Sequence, residues 1–575
     1  MVASTLSPPN KLDPPESLLI RTAQVRTGVL NTIRVPGDPF QDERKSWFKT
    51  EFDSGKGKLI NIYWERQKLA LIKRAAGHLQ SRIPKMAKSL KNVKKEMPTI
   101  YEGNEVKYLI DGKETFKEMV AAIRTATGIS ESGEKANHFI YMLNWWMDTE
   151  FELDSDEPGV NLNLLLSQAS NDKGVMVRAM FWNQQFTVQN SYGVDYINSL
   201  DNGAAILDSR GNEDFPPFSW LDIPFVPMNI GSQHQKVLCV LGEEGLICFC
   251  GGTDFNPDRV QELGKGSPIH DVHCRIRGPA AADLVYLFIQ RWNDHVEGQK
   301  HNLPITMGGK GPLITLKEMP PLAGPQIVQI GRTFGDCDYK FAPGGELTAR
   351  EIILCAINNA KRFIYTEDQY FVGNPQVEEA LCEALKRGIQ HLTVVLTYYK
   401  FVDLPLVQHH RNNFIRKLKE AGGDRVRIFV LCPQDSNEKT FKEGKIRHTY
   451  IHSKIWIIDD EFAVIGSLNT NHRSWSHDSE VAAGIYDTSD DIVMTYHLAH
   501  WLRIELWKEH LNLQTPEGSA ELADGVASAV HWLDLPSGAR VQHYDEKEKG
   551  EYHIPIPILG IPIEWLTYSK IIDPD

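Results

Sequence analysis

Much of what would classify a chain at a glance is missing from these 575 residues. No uninterrupted apolar run is long enough to cross a bilayer, and the opening MVASTLSPPNKLDPPESLLIRTAQVRTG lacks the apolar stretch of a secretory signal. Asn-X-Ser/Thr acceptor sites are absent, and the eight cysteines are scattered without zinc spacing. Cys239, Cys248 and Cys250 lie inside apolar runs, where they read as small hydrophobes in a reducing, cytoplasmic compartment. Positive charge is also short: 62 Lys and Arg against 75 Asp and Glu give a formal net charge of −13, which repels a polyanion on average. A nucleic acid partner is therefore not expected, because a basic groove would work against the overall field. What remains, 42% hydrophobic and 24% charged residues with 13 Trp, describes a folded chain long enough for two to about four domain-sized units.

Four segments are expected. Residues 1–105 form an N-terminal extension, in which 66–95 holds ten Lys or Arg and no Asp or Glu. Leu69, Ile72, Ala76 and Leu79 share a helical face there, suited either to anionic lipid or to packing on the body, and Pro84 interrupts the helix. From 106 onwards the chain repeats itself. In the first copy the run from Phe139 opens a strand, NLNLLLSQASNDKG reads as a helix and VMVRAMFW as a second strand. The second copy answers with FIYTEDQYF, VEEALCEALKRGI and LTVVL. Each then reaches a His-X-Lys segment, at His234 and His452. Duplication explains two β-α-β units in matching order better than coincidence does, and the alternation of short strands with helices makes each half an α/β sandwich. The expected architecture is two similar α/β halves, 106–310 and 311–510, related by a pseudo-twofold axis, with a C-terminal extension over 511–575.

The strongest motif is YIHSKIWIIDDEFAVIGSLNTNHRSWSHDSEVAAGIYD. On a strand, His452 and Lys454 fall on one face, since side chains repeat with period two. Asp459 marks the turn, Ser467 and Asn469 share a face of the return strand, and Gly466 is read as leaving room for a tetrahedral group. The first half offers GSQHQKVLCVLGEEGLICFCGGTDFNPDR, with His234 and Lys236 in the same relation, then Gly252 and Asp254. Leu241 stands where the other copy has Asp459.

These segments resemble the signature of the phospholipase D superfamily, HxKxxxxD followed by GSxN or a GG variant, present twice. The second copy matches fully; the first matches at His234, Lys236 and GGTD but not at the aspartate. VKYLIDGKETFKEMVAAI, HDVHCRIRGPAAADLVYLFIQRWN and FIYTEDQYF look like further blocks of that family's eukaryotic and bacterial phospholipases, so the resemblance spans residues 106–510. It implies the phospholipase D-like fold and hydrolysis of a glycerophospholipid, phosphatidylcholine first, to phosphatidic acid and a free alcohol, with transfer to primary alcohols as a side reaction. A phospholipid membrane surface is the implied partner, met by a monomer that is cytoplasmic or peripheral to the membrane.

The residue types suit that task. Attack on a phosphodiester places charge on its equatorial oxygens, where Lys236, Lys454, Ser467 and Asn469 stabilise it without a metal or cofactor. One neutral imidazole attacks phosphorus to give a phosphohistidine, while a second, protonated, serves the departing alcohol and then activates water. The resemblance makes His234 the nucleophile and His452 the acid and base; the residues alone do not order them. Each ring needs a partner on its other nitrogen, and Asp271 and Glu480, at equivalent places after the GGTD and GSLN strands, are the candidates. Asp254 replaces the asparagine of the other half and tolerates phosphate only when paired with lysine or protonated. Leu241 removes a carboxylate that strand parity places off the His/Lys face, so a structural role is the expected loss. The candidate catalytic set is His234, Lys236, His452, Lys454, Asp459, Asp271 and Glu480; Gly252, Asp254, Ser467, Asn469 and Gln369 are candidates for binding substrate.

Other patterns carry less. GGKGPLITLK does not fit GxxxxGK[ST], and GISESG misses GxSxG by one residue. His409 with His410 and His270 with His273 lack further ligands at metal spacing, so hydrogen-bonded or surface histidines are expected. The apolar tail IPIPILGIPIEWL is expected to pack on the body. Three alternatives stay open: a nuclease or a phosphatidyl-transferring synthase of the same superfamily, or a catalytically weak lipid-binding relative, motivated by Leu241 and Asp254.

Overall fold

Runs such as FIYMLN and HLTVVL carry apolar residues on both faces, and every residue in them is buried. Such strands fit a sheet covered on both sides, and that is where a computed structural model places them. It describes residues 97–128, 137–154, 156–183, 189–210, 232–260, 269–335, 339–398, 407–432, 449–486 and 498–545. The basic stretch 66–95, the tail IPIPILGIPIEWL and the side chain of His409 lie outside the described residues.

The first half contributes β1 (Ile100–Ile110), β2 (Phe139–Asn144), β3 (Met176–Trp182), β4 (Gly203–Asp208), β5 (Val237–Gly242), β6 (Gly245–Gly251), β7 (Ile269–His270) and β8 (Val272–Arg277). The second contributes β9 (Gln326–Phe334), β10 (Glu346–Leu347), β11 (Phe363–Asp368), β12 (His391–Leu396), β13 (Val426–Leu431), β14 (Tyr450–Ile451), β15 (Ile455–Ile458), β16 (Phe462–Gly466), β17 (Glu480–Tyr486) and β18 (Val541–His543). All but β7 and β14 join one sixteen-stranded mixed sheet, ordered β18-β13-β12-β11-β15-β16-β17-β9-β1-β8-β6-β5-β2-β3-β4, with β10 beside β9. Read from its edge inward, β4-β3-β2-β5-β6-β8-β1 answers β13-β12-β11-β15-β16-β17-β9 strand for strand. The senses agree too: β2, β3 and β4 run parallel, as do β11, β12 and β13, and the remaining neighbours in both series are antiparallel. The halves meet where β1 pairs antiparallel with β9.

Alternate residues of each central strand feed different cores. Phe139 and Tyr141, with Phe363 and Tyr365, enter one cluster shared by both halves, filled by the helices Ala281–Asp294 and Leu498–His510. Ile140 and Met142 face the first half's own cluster beneath Asp111–Thr125, and Ile364 faces the second half's beneath Thr348–Asn359 and Pro375–Arg387. This is the period-two alternation of a strand used on both sides. The described cysteines are free, and Cys239, Cys248 and Cys250 are buried in the shared core, as small hydrophobes should be. Beyond 510 the chain does not stand apart: Trp532 is buried in the shared core and β18 pairs with β13, extending the second half's sheet. Among the described residues no helix is long and apolar enough to cross a membrane.

Candidate active site

Neither histidine lies on the strand the spacing suggested. His234–Lys236 and His452–Lys454 precede β5 and β15, and each segment is docked across the seam onto the other half. Gln233 forms a parallel bridge with Ser479, and the His234 N–H donates to the Ser479 carbonyl at 3.0 Å. In the same manner β14 pairs in parallel with β7, and the N–H groups of His452 and Ser453 donate to the His270 carbonyl at 2.7 and 3.1 Å. Ser479 precedes Glu480 and His270 precedes Asp271. Each histidine is thereby laid beside the acid of the opposite half.

The pairing is crossed as a result. His234 Nδ1 lies 3.0 Å from both carboxylate oxygens of Glu480, and His452 Nδ1 lies 2.8 Å from Asp271 Oδ2. All four side chains are buried. A carboxylate on Nδ1 holds the hydrogen there and turns Nε2 toward chemistry. Lys236 Nζ donates to the His234 carbonyl at 3.0 Å, and Lys454 Nζ donates to the His452 carbonyl at 2.6 Å and to Gln369 Oε1 at 3.0 Å. Gln369 in turn donates to the Tyr450 hydroxyl, so it anchors Lys454 from within the core.

The two acids differ in proton affinity. Burial and the neighbouring Asp478 push Glu480 well above the usual carboxyl range, against the pull of Lys236 and Ser467. Burial acts upward on Asp271 as well, but His452, Lys454 and Arg259 outweigh it and hold that carboxyl below its ordinary value. His273 joins the two centres, since Asp271, Asp254 and Lys236 all act on it electrostatically, while burial pushes its pKa down to about 4.

Asp254 is not a bare anion facing substrate. Its Oδ2 pairs with Lys236 Nζ at 3.5 Å, and its Oδ1 accepts from the N–H groups of Trp145 and Trp146 at 3.1 and 3.3 Å. Ser467 Oγ donates to Glu480 and accepts the Val481 N–H at 3.1 Å, and Asn469 is fully buried. Three sequence expectations are corrected by the packing. A Cβ at Gly252 would lie 2.0 Å from Asp271 Oδ1, so this glycine makes room for the acid, not for phosphate. At Gly466 a Cβ would lie 2.5 Å from the Val481 carbonyl, so the glycine serves the close approach of β16 to β17. Asp459, grouped with the catalytic residues by its motif, lies at the far end of the β15–β16 hairpin. There its carboxylate accepts the N–H groups of Lys361, Arg362 and Phe363 at 2.7, 2.7 and 2.8 Å, pinning the start of β11. Leu241, at the corresponding place, is opposite Phe139 and packs against the shared core.

Sequence reasoning missed Arg259, Trp145 and Asp478. Arg259 NH2 stands 3.3 Å from His452 Nε2, on the 3₁₀ turn Pro257–Val260 just after GGTDFN. The Trp145 ring lies under Lys236 Nζ, 5.9 Å from it, and edge-on to His234. Asp478 accepts the Ser232 N–H at 2.7 Å and pairs with Arg473 at 2.9 Å, holding the approach to His234. The arginine was visible at the end of its motif, but no spacing rule marks it.

Each of the two buried imidazoles is thus paired with a carboxylate and has a lysine two residues further on, in halves that share a strand order. Residues 353–502 match the family described as cardiolipin synthase, PLD-like domain. Phospholipase D alpha 1 of Zea mays is 24% identical over 535 residues, covering 67% of this chain and 63% of its own length. A cardiolipin synthase of Geobacillus sp. (strain WCH70) is 28% identical over 397 residues, with the same shares covered, 67% and 63%. Among solved structures, phosphatidylserine synthase from Haemophilus influenzae Rd KW20 aligns with a TM-score of 0.47 and 13% identity over 79% of this chain and 99% of that one. These sequence likenesses indicate the phospholipase D superfamily, and the chain spans 63% of the length of the two sequence relatives named here.

Proposed function

We propose that the chain is a phosphodiesterase of glycerophospholipids, phosphatidylcholine first, releasing phosphatidic acid and the head-group alcohol at a membrane surface. The observation that carries this reading is the crossed pairing of His234 with Glu480 and His452 with Asp271. His234 Nε2 attacks phosphorus, forming a P–N bond as the P–O bond to the head group breaks, and His452 gives its Nε2 proton to the departing oxygen. His452 then takes a proton from water, whose oxygen displaces His234 and leaves phosphatidic acid. A primary alcohol in place of water leaves a phosphatidyl alcohol. Lys236, Lys454 and Arg259 supply the positive charge that the equatorial oxygens need, and no step calls for a metal.

The unequal acids support this division of roles. An ionised Asp271 suits a ring that must carry a second proton, while Glu480, with the greater proton affinity, draws on the Nδ1 hydrogen of His234 and enriches its Nε2. Both histidines come from one chain, so a monomer is sufficient. The test is to incubate the purified protein with phosphatidylcholine vesicles and a primary alcohol, alongside His234→Ala and His452→Ala. Phosphatidyl alcohol from the wild type alone is expected; undiminished turnover in either variant would remove the two-histidine mechanism. The cardiolipin synthase likeness favours a second reading, phosphatidyl transfer as the main reaction. Vesicles of phosphatidylglycerol separate the two, because a transferase makes diphosphatidylglycerol where a hydrolase makes phosphatidic acid.

A further inference from the structure

Behind the second histidine lies an ionic bridge built from both halves. His270 Nδ1 is 2.9 Å from Asp111 Oδ1, and its Nε2 is 3.0 Å from Glu367 Oε2. Asp111 opens the helix Asp111–Thr125 of the first half, and Glu367 belongs to β11 of the second. A carboxylate within ion-pair distance of each nitrogen favours the doubly protonated, imidazolium ring. Burial opposes that charge, yet Asp111 and Glu367 hold His270 well above the ordinary histidine range, and His270 with His510 holds Glu367 well below its own against the same burial. Glu367 also accepts from His510 Nε2 at 2.8 Å and from the Ser453 and Tyr365 hydroxyls, both at 2.6 Å. With His270 these donors fill the roughly four acceptor sites of the Glu367 carboxylate.

The bridge is tied to both members of the Asp271–His452 pair. Asp111 has φ 61, a left-handed backbone that few residues other than glycine adopt. In that conformation its N–H donates to the Asp271 carbonyl at 2.9 Å and its Oδ1 accepts the Asp271 N–H at 3.1 Å. Asp271 is therefore clamped at both ends of its own backbone. Ser453, which Glu367 holds, adjoins His452. The first histidine lacks this chemistry at two matching positions: Leu143 of β2 occupies the place of Glu367, and Ser479 of the second half the place of His270.

We propose that Asp111, His270 and Glu367 are positioning residues that serve the second histidine alone, fixing the Asp271 carboxylate and with it the aim of His452. The inference rests on the reading of His452 as the group that protonates the leaving alcohol. Its test compares phosphatidylcholine, whose alkoxide needs a proton, with phosphatidyl-p-nitrophenol, whose phenolate leaves without one, using the full-length protein. Asp111 is partly exposed, so Asp111→Ala and Asp111→Asn should fold; Glu367→Gln is the buried companion. In Asp111→Ala and Glu367→Gln, kcat for phosphatidylcholine is expected to fall roughly tenfold to a hundredfold, with KM unchanged, and the rate of the first-turnover nitrophenolate burst from the nitrophenyl ester by less than about threefold. Asp111→Asn, which tolerates the left-handed backbone and keeps the oxygen on Asp271, is expected to fall between. Equal losses on the two esters, or none on either, would overturn the proposal, as would a full equivalent of transition metal in the purified protein. A wild type inert toward both esters would instead sink the proposed function. Even then the downfield Nδ1–H resonance of His452, identified by its loss in His452→Ala, decides the matter: it should broaden in Asp111→Ala, and an unaltered line would refute the clamp.

Discussion

The two halves share a strand order and a histidine–lysine pair, yet they surround that pair with opposite kinds of support. Behind the first histidine stand arginines: Arg291 donates to Gln235 at 2.9 Å and pairs with Asp208 at 2.8 Å, which also binds Arg210. Behind the second stand acids, with Glu367 and Asp111 around His270. Even the lysines differ, since Lys236 faces Asp254 whereas Lys454 faces Gln369. The common strand order gives each half a histidine and a lysine at the seam, with a carboxylate of the other half beside the ring. Divergence in the surrounding layer then separates two rings that, in the proposed reaction, must hold different protonation states.

The most severe way to break this comparison is to remove the rings. His234→Ala and His452→Ala are each expected to lower phosphatidylcholine turnover by roughly 10⁴-fold or more, yet only His452→Ala should retain a first-turnover burst of nitrophenolate from phosphatidyl-p-nitrophenol. If both variants keep or both lose the burst, the halves are not differentiated. A smaller effect is expected from the acids. Asp271→Asn and Glu480→Gln should each cost roughly 10²- to 10⁴-fold on phosphatidylcholine by misorienting a ring, with the nitrophenolate burst of the activated ester spared in Asp271→Asn only.

Stability offers a comparison in which the halves should agree. His273 in the first half and His391 in the second are buried, and burial depresses their pKa values to about 4 and about 3. Both are neutral when folded but bind a proton near pH 6.5 when unfolded, so the unfolded state takes up more protons as pH falls. Their contribution is complete above about pH 6.5 and declines below it, by about 1.4 kcal/mol per pH unit for each ring, until the folded pKa is passed. Urea midpoints measured between pH 7 and pH 4.5 should fall accordingly; a flat profile would contradict the burial of both rings. The smallest effect belongs to the hairpin that differs most in sequence. Asp459→Asn weakens the carboxylate's hold on the start of β11 and should cost about 1–2 kcal/mol in urea unfolding, with turnover per folded molecule unchanged. A selective loss of turnover would return Asp459 to the chemistry.

How much of this was legible beforehand follows from the range of each interaction. Strands β2, β3, β11 and β12 were visible because short runs rich in aromatic and aliphatic residues, bounded by polar turns, suit a covered strand. Asp271 and Glu480 were visible because the repeat itself makes them equivalents. Gly466 and Gly252 were misread, since a glycine reports only that space is needed and not which atom needs it. The strand expected at His452 and Lys454 was also misplaced, because docking onto the His270 carbonyl overrides the local extension of β15.

Read alone, the chain discloses that it is duplicated and names the histidines, lysines and acids that its two copies hold in common, because periodicity and repetition are local properties of a polymer. Which acid meets which ring is a different matter, since His234 finds Glu480 across 246 positions and His452 finds Asp271 across 181. That choice, together with the placement of Arg259 and the Asp111–His270–Glu367 bridge, was made only when β7 met β14 and Gln233 met Ser479 at the seam. A buried polar group takes the partner that folding brings within hydrogen-bonding reach, and no pattern along one strand specifies the end of another.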